Sequence, residues 1–415
     1  MKQILSLIIC LGFSVGMAAR PEPRAEDVLR AMHAANDYFI RKHPDPTTPT
    51  FVKKERPSNL WTRGVYYEGL MALNRIDLRE ANRDYVRRWA EFHRFMPRNG
   101  VYTRDADDYC CCQTYLEMYE QRADHLVDNG LADMIGPTLQ CMDNLLHPAP
   151  EHMTPATKAR YGDTSYQDWT WIDAIQMGLP VMTKLSKILS VGSQQADQGL
   201  EYAEHGYQMY KCTRDTLAGG LFKETNGLWW RDKDFVPPYR EPNGANCYWS
   251  RGNGWVYAAL VRAMSDALEH QQAFNLHKPA RQFHYYDYEG DYLIMSRELI
   301  RYQRKDRFWN VSLADESNYG GKELTGTALF IYGFAWGIRH GLLNPEIYRP
   351  IVMDTWNAMV KYCLRKDGFL HYVQGTGKEP KDSQPVGRNI EPDFDDFGLG
   401  CFLLAGSEVY WLLNN

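Results

Sequence analysis

The feature that most constrains the fold is a pattern of apolar segments that recurs along the chain. Six times, a polar or glycine-containing start leads into a long stretch that is apolar or small on nearly every face, which is typical of a helix buried all round. These stretches begin near Gly64, Asp107, Trp171, Gly252, Gly326 and Gly398. No Pro/Ser-rich linker and no low-complexity segment interrupts residues 20–415, so the pattern indicates a single domain.

Amphipathic segments lie between the apolar ones. In each of them the apolar residues return at spacings of three and four, which leaves a charged face, as on a surface helix. These segments are 25–41, 80–95, 131–146, 195–210, 287–303 and 346–364. Six buried helices that alternate with six amphipathic helices predict an all-α (α/α)6 barrel with an inner and an outer ring. We expect its pocket at the end where the glycine-rich loops lead into the inner helices.

The composition narrows the class of protein. The 47 Lys and Arg against 52 Asp and Glu give a formal charge of −5, and 44% of the residues are hydrophobic. These proportions exclude a disordered chain and a small disulfide scaffold. A mildly acidic chain without a basic run is not expected to bind nucleic acid. The 27 Tyr and 12 Trp exceed the usual demand of a core, which favours a cleft with rings exposed to a sugar or another flat ligand.

Residues 1–19 have the pattern of a cleaved signal peptide. One Lys precedes an apolar run that starts at Ile4, and small residues end the segment at Ala18 and Ala19. No later stretch approaches the ~20 apolar residues of a membrane-spanning helix. We therefore expect residues 20–415 to form an exported, periplasmic catalytic domain without stable membrane insertion. The sequence leaves the oligomeric state open.

The cysteines predict neither a zinc site nor a fixed set of disulfides. Eight follow residue 20, and they lack the paired CxxC spacing that zinc sites use. Only the adjacent Cys110, Cys111 and Cys112 are unusual. We expect buried thiols, and a disulfide stays open because an exported location permits one without requiring it. We expect no metal and no cofactor.

Two acidic positions are candidates for proton transfer. Asp173 stands in a segment otherwise made of Trp, Ile, Ala and Met, so its carboxylate is expected to be poorly solvated, with a raised pKa that suits a proton donor. Asp107 lies in the run DADDYC, where Asp105 and Asp108 crowd the same helix start and like charges can raise one pKa. The alternative for each position is a helix cap.

A third cluster combines an arginine with tryptophan side chains. Trp249, Arg251 and Trp255 belong to one glycine-containing segment. A guanidinium offers a bidentate fork to a carboxylated sugar, and tryptophan offers a stacking face. The alternative is an arginine that packs on tryptophan and stabilises its loop. Further candidates for substrate binding are Tyr66, Trp230 and Arg231.

Several segments carry a family resemblance. They are ADDY with QTYL within 106–116, WIDAIQM at 171–177 and WSRGNGW at 249–255, together with RGVYYEGLMAL near the start and ELTGTA and FLLAGSEV towards the end. In this order they resemble glycoside hydrolase family 105, the unsaturated rhamnogalacturonyl hydrolases. The likeness covers essentially all of residues 20–415. It implies an (α/α)6 barrel, as the periodicity does.

The resemblance implies a reaction and a role for each carboxyl group. Family members act on the 4,5-unsaturated uronic acid that pectin lyases leave at a non-reducing end, and they hydrate its double bond. Asp173 would protonate C4 as general acid/base, while water adds at C5. Counting back from Gln113, Asp107 rather than Asp108 matches the second carboxylate, which would position or activate the water. Neither a metal nor a covalent nucleophile is required.

The sequence leaves the substrate and other classes of function open. Some family members carry a His between the catalytic Asp and the RGNGW segment, whereas here no His lies between His205 and His270. Unsaturated homogalacturonan or glucuronyl oligosaccharides therefore remain alternatives to rhamnogalacturonan products. A sugar epimerase with the same barrel and a non-catalytic glycan-binding protein are the alternatives from other classes.

Overall fold

Helices make up nearly all of the regular structure in the computed structural model, which describes residues 22–52, 54–121, 131–162, 164–190 and 196–415. The predicted signal peptide, 1–19, lies outside the described residues. The α-helices are α1 (Ala25–Lys42), α2 (Trp61–Asn74), α3 (Glu80–Phe92), α4 (Ala106–Tyr109), α5 (Cys112–Glu120), α6 (Gly136–Leu146), α7 (Pro155–Tyr161), α8 (Asp173–Ser190), α9 (Ala196–Lys211), α10 (Ser250–Ala273), α11 (Tyr285–Leu299), α12 (Leu324–Arg339), α13 (Pro345–Tyr362) and α14 (Phe397–Asn414). Two short strands, β1 (Thr50–Val52) and β2 (Lys54–Arg56), pair antiparallel.

The inner helices close into a ring. Helix α2 packs on α5, α5 on α8, α8 on α10, α10 on α12, α12 on α14, and α14 returns to α2. Most residues of α8, α10, α12 and α14 are buried, because each of these helices contacts neighbours on several sides. The predicted all-α (α/α)6 barrel is confirmed, and it forms a single domain.

Amphipathic helices form the outer layer. Helix α1 packs on α14, α3 on α2, α9 on α8, α11 on α10 and α13 on α12. Their bounds follow the predicted segments closely, as in α1, which spans Ala25–Lys42 where the periodicity predicted 25–41. The segment predicted at 131–146 differs, because a π-helical turn at Leu131–Ile135 precedes α6. The inner segment predicted from Asp107 is likewise divided, into α4 and α5.

Glycines let two inner helices touch through their backbones. A Cβ atom on Gly69 of α2 would lie 2.6 Å from the carbonyl oxygen of Gly400 on α14. A Cβ atom on Gly400 would in turn overlap the carbonyl oxygen of Val65. Since neither contact involves a flexible side chain that could move aside, only glycine fits this crossing.

Neighbouring inner helices begin at the same end of the barrel. Gly326, in the first turn of α12, packs directly on Ser250, the first residue of α10. A Cβ atom on Gly252, in the first turn of α10, would lie 3.1 Å from Cδ1 of Ile172, which immediately precedes α8. The starts of these helices therefore surround one opening of the barrel, which we call the N-terminal mouth, and Asp173 opens α8 at that mouth.

Helix α14 is long and apolar enough to pass a length-and-composition test for a membrane span. In the barrel, however, 72% of its apolar window is buried, and it packs on α12 and α2. The apolar residues of α14 thus form part of the protein core. The cysteines after residue 20 are free thiols, and the adjacent Cys110, Cys111 and Cys112 are all buried.

Candidate active site

Asp107 is a partly buried acid at the N-terminal mouth. It lies in the one-turn helix α4, where the carboxylate of Asp105 accepts a hydrogen bond from the backbone N–H of Asp107 at 3.1 Å. Burial raises the pKa of Asp107 to about 8, and the negative charges of Asp105 and Asp173 act in the same direction. The surroundings of Asp107 therefore favour its protonated form.

Asp173 lies in a different electrostatic environment. Its side chain opens α8 and is buried, with the residue 8% exposed. Burial raises the pKa of Asp173, while the guanidinium groups of Arg231 and Arg251 oppose that shift. Nε of Arg231 donates a hydrogen bond to Oδ2 of Asp173 at 3.1 Å. Asp173 thus has a hydrogen-bonded guanidinium that stabilises its charged form, whereas the carboxylates beside Asp107 favour its protonated form.

Asp108, the other carboxylate in the same run, is turned towards a surface loop. Its Oδ1 lies 2.5 Å from Nη2 of Arg98. Its Oδ2 accepts hydrogen bonds from Nδ2 of Asn99 at 3.0 Å and from Oγ1 of Thr103 at 2.5 Å. These contacts occupy Asp108, whereas Asp107 is the carboxyl group whose pKa the charge of Asp173 raises. Asp107 is therefore within electrostatic range of Asp173.

Arg231 joins the carboxyl pair from the loop before α10. Its backbone carbonyl accepts the N–H of Ile172 at 2.9 Å, which fixes the main chain beside the start of α8. Besides Asp173, the guanidinium contacts Asp232, whose Oδ2 accepts from Nη1 at 2.7 Å. Within the described part of the chain, Nη2 makes no hydrogen bond, and the side chain is 19% exposed. Arg231 therefore keeps a donor for a ligand.

Arg251, by contrast, is held by contacts that stabilise the fold. Its Nη1 donates to the carbonyl of Gln374 at 2.5 Å and its Nη2 to the carbonyl of Gly375 at 2.7 Å. The guanidinium carbon lies 4.6 Å from the ring centre of Trp249 and 5.0 Å from that of Phe397, and the residue is 1% exposed. The fork predicted for a sugar carboxylate is thus already occupied by two backbone carbonyls, as in the stabilising alternative.

The predicted stacking tryptophans are buried. Trp249 donates its Nε1 hydrogen to Oε1 of Gln374 at 2.9 Å, and Trp255 meets the edge of Trp61 with ring centres 6.4 Å apart. Trp230 is 5% exposed, and its Nε1 has no hydrogen-bond partner in the described residues. In the described residues the Nε1 atom of Trp255 is likewise unpaired, but of the three predicted tryptophans only Trp230 is adjacent to Arg231 in the chain.

Tyr66 is placed between the two rings of helices. Its hydroxyl donates to Oδ1 of Asn36 on α1 at 2.9 Å, and its ring centre lies 4.3 Å from that of Phe39. The residue is fully buried. These contacts fix the packing of α2 on the outer layer. They give no support to the substrate-binding role predicted for Tyr66.

Two further residues hold the loop beyond Arg251, of which Glu323 is a helix cap as the sequence allows and Gln374 was not predicted. Glu323 caps α12 by accepting the N–H groups of Thr325 at 2.9 Å and Gly326 at 2.8 Å. Gln374 accepts from Trp249 and donates its Nε2 to carbonyls of the following loop, including that of Asp382 at 2.9 Å. The motif ELTGT signals the cap, but no local pattern marks Gln374.

A cavity of about 560 Å³ adjoins the short helix α4. Asp105 and Asp108 of the carboxylate run contribute to its wall. On the same wall, Tyr102 stacks on His152 with ring centres 3.9 Å apart, and Tyr102 is 52% exposed. The cavity thus offers an aromatic face and charged groups beside α4, although neither Asp107 nor Asp173 lines it.

The chain matches known proteins over nearly its whole length. The model of glycosyl hydrolase family 88 matches residues 31–413. A relative from Formosa agariphila, named an unsaturated 3S-rhamnoglycuronyl hydrolase, is 27% identical over 357 residues, which are 84% of each chain. The structure of a family 88 glycosyl hydrolase from Bacteroides vulgatus superposes with a TM-score of 0.74 at 26% identity, and covers 94% of this chain and 100% of that one.

The matching family is thus family 88, whereas the motifs resemble family 105. A structure from Salmonella enterica described as a possible family 105 member has a TM-score of 0.64 at 17% identity, with 95% of this chain and 96% of that one covered. At this identity the likeness shows the fold alone. On the family match over most of its length, the chain belongs to glycosyl hydrolase family 88 and is a glycoside hydrolase.

Proposed function

We propose that this protein releases a 4,5-unsaturated uronic acid from the non-reducing end of an oligosaccharide by hydrating the double bond. The observation that carries the proposal is the pair of Asp107 and Asp173 at the N-terminal mouth, where burial raises the pKa of both carboxyl groups and Arg231 donates a hydrogen bond to Asp173. Hydration of a vinyl ether needs one positioned proton donor and one activated water, and this pair supplies both.

The proposal gives each side chain a defined role. Asp173 donates a proton to C4, and the positive charge that develops at C5 is stabilised by the ring oxygen. Water, positioned by Asp107, then adds to C5 and returns a proton to Asp173, and the resulting hemiketal opens and releases the rest of the oligosaccharide. Arg231 binds the carboxylate of the sugar. This route differs from ordinary glycoside hydrolysis, in which an acid protonates the glycosidic oxygen.

The sugar next to the unsaturated residue is a separate part of the proposal. The relative from Formosa agariphila is named an unsaturated 3S-rhamnoglycuronyl hydrolase, which favours rhamnoglycuronyl oligosaccharides beside the rhamnogalacturonan products that the motifs imply. We place the leaving sugar in the cavity next to α4, where Tyr102 offers an aromatic face and Arg98 a positive charge. A panel of unsaturated rhamnoglycuronyl, rhamnogalacturonyl and homogalacturonyl oligosaccharides ranks these substrates by kcat/KM.

Turnover in deuterated water tests the reaction. We expect one deuterium at C4 of the released keto sugar, loss of the ultraviolet absorbance of the double bond, and no turnover of the saturated analogue. Protonation of the glycosidic oxygen would instead leave C4 unlabelled, keep the double bond in the released uronate and accept the saturated substrate. Either of those results would return the protein to the conventional two-carboxylate class.

We also propose that the protein acts after export. The support is the pattern of residues 1–19, a lysine followed by an apolar run and terminal small residues. Amino-terminal sequencing of protein from the periplasm of the producing cell tests it, with a new terminus expected near residue 20. An uncleaved terminus in the cytoplasm would contradict export.

A further inference from the structure

The guanidinium of Arg231 is held at two of its three nitrogen atoms. Nε donates to Oδ2 of Asp173 at 3.1 Å, and Nη1 donates to Oδ2 of Asp232 at 2.7 Å. In a planar guanidinium, Nη2 forms one hydrogen-bonding edge with Nε and another with Nη1. The two contacts therefore fix the plane of the group and the direction of the N–H bonds of Nη2, which makes no hydrogen bond within the described ranges.

Asp232 can hold Nη1 because its own side chain is fixed. Its Oδ1 accepts the backbone N–H of Asp234 at 2.8 Å, in the turn that follows Arg231. The backbone carbonyl of Asp232 accepts the N–H of Phe235 at 3.1 Å, which closes the same turn. Asp232 is 7% exposed, and shielding from water strengthens a charge-assisted hydrogen bond. One carboxylate oxygen thus anchors the side chain of Asp232, while the other holds the arginine.

This turn is attached to the start of α8. Asp232 forms an isolated antiparallel bridge with Trp171, and the carbonyl of Arg231 accepts the N–H of Ile172 at 2.9 Å. The next residue, Asp173, opens α8 at the N-terminal mouth. The main chain that carries Arg231 and Asp232 therefore cannot move relative to Asp173 without breaking these contacts.

We propose that Asp232 is a positioning residue that makes the site specific for a free sugar carboxylate. It holds Arg231 in the orientation in which Nη2 donates to the C6 carboxylate of the bound unsaturated uronic acid. The inference rests on the proposed function, in which Arg231 binds this group. It deepens that function by naming the residue that selects the free acid over its C6 ester, through Arg231 and without touching the sugar.

Orientation decides how strongly an arginine discriminates between an acid and an ester. A carboxylate accepts charge-assisted hydrogen bonds from N–H groups that are directed at it, whereas an ester carbonyl is neutral and forms weaker ones. A mobile arginine also loses side-chain entropy when it binds the sugar. Arg231, which is already held at two nitrogen atoms, has little of this entropy left to lose.

Two other roles for Asp232 lead to different expectations. If Asp232 only formed the turn, its contact with Nη1 would have no effect on the substrate. If it only balanced the positive charge, its neutralisation would strengthen the attraction between Arg231 and an anionic sugar, because one of the two carboxylates beside the guanidinium would be gone. Positioning predicts the opposite result, a weaker preference for the acid.

The variant D232N separates these roles. The amide oxygen of asparagine still accepts the N–H of Asp234, so the turn is retained, whereas its NH₂ group cannot accept a hydrogen bond from Nη1. The matched control is D234N, because the side chain of Asp234 is 53% exposed and contacts Lys233, and its backbone N–H is unchanged. Thermal unfolding verifies that both variants fold.

The measurement is the ratio of kcat/KM for an unsaturated uronide to kcat/KM for its C6 methyl ester. We expect the wild type and D234N to favour the acid by ~100-fold, and D232N to favour it by about tenfold or less. D232E keeps the charge on a longer side chain and should recover only part of the ratio. A D232N variant that keeps the wild-type ratio, or that favours the acid more strongly, would overturn the inference.

A double-mutant cycle shows whether Asp232 acts through Arg231. D232N should lower kcat/KM for the acid by about tenfold in the wild type but by less than about twofold in R231Q, which has no guanidinium to position. A tenfold loss in both backgrounds would show that Asp232 acts by another route, and would contradict the positioning role.

Binding of saturated sugars separates the inference from the proposed function. Calorimetry with methyl β-D-glucuronoside and methyl β-D-glucoside compares a charged with an uncharged ligand. D232N should raise the Kd of the glucuronoside by about tenfold and leave that of the glucoside within about twofold. A wild type without turnover of the unsaturated uronide would disprove hydration, and this comparison would still decide the role of Asp232. An unchanged Kd of the glucuronoside in D232N would overturn the inference.

Discussion

Nε of Arg231 lies 3.1 Å from Oδ2 of Asp173, and this single hydrogen bond connects the loop before α10 to the first residue of α8. Arg251 is the arginine that the motif WSRGNGW suggested for binding a sugar carboxylate. Its two terminal nitrogens donate hydrogen bonds to the carbonyls of Gln374 and Gly375. One arginine therefore contacts a carboxyl group of the candidate site, and the other holds the loop behind it.

The first prediction separates the two adjacent carboxylates of α4. D107N should lower kcat by about 10²–10⁴-fold, because an amide cannot activate the attacking water as a carboxyl group does. D108N is the matched control, since Asp108 bonds to Arg98, Asn99 and Thr103. It should keep kcat within about tenfold and lose roughly 1–3 kcal/mol of unfolding free energy. Equal loss of kcat in both variants would contradict the assignment.

The second prediction concerns Arg251. R251A should lower the free energy of unfolding by about 3–5 kcal/mol, because it leaves two buried carbonyls without donors. The same measurement on R231Q should show less than about 1.5 kcal/mol, since Arg231 is partly exposed and Asp173 can take up a proton. Chemical denaturation of both variants provides the comparison. A stable R251A variant with a raised KM would instead place Arg251 on the substrate.

The third prediction follows from the pKa of about 8 at Asp107. Catalysis needs one proton on the carboxyl pair, so kcat/KM should fall as the pH rises through about 8, the range in which that proton is lost. D173N should be nearly inactive at every pH. A wild-type profile that stays flat to pH 10 would show that the proton on Asp107 is not required.

The raised pKa of Asp107 also makes the stability of the protein depend on pH, in a direction that can be measured. The pKa of Asp107 is about 8 in the folded protein, above the ordinary value of ~3.9 in an unfolded chain, so between these values the folded state binds more protons. Its contribution to stability is thus present at low pH and lost as the pH rises towards 8. Between pH 6 and 9, Tm should fall more for the wild type than for D107N; parallel curves would contradict this.

The fourth prediction tests the helix crossing in the barrel wall. G400A should cost about 1–3 kcal/mol of unfolding free energy, because its Cβ atom would overlap the backbone of α2 at Val65. The matched control is G290A, in helix α11, where a Cβ atom meets no other atom within 4 Å. That substitution should stabilise the protein by roughly 0.5–1 kcal/mol. Similar effects of both substitutions on Tm would refute the close crossing.

The sequence by itself predicted the ring of helices, because the burial and the period of a helix depend on residues that are close together in the chain. A stretch that is apolar on all faces has to be enclosed on all sides, and a stretch with a charged face has to lie outside. Helix α10, expected near Gly252, begins at Ser250, and outer helix α13 spans Pro345–Tyr362 where 346–364 was predicted. The buried position of Asp173 followed from its apolar neighbours for the same reason.

Only the tertiary structure decided which arginine faces the carboxyl pair. In the sequence, Arg231 and Arg251 look alike, because each has tryptophan within two positions. Their partners lie far away along the chain: Asp173 is 58 residues from Arg231, and Gln374 is 123 residues from Arg251. Such partners are set by how the loops close over the barrel, and a local pattern of residue types carries no information about distances of that kind.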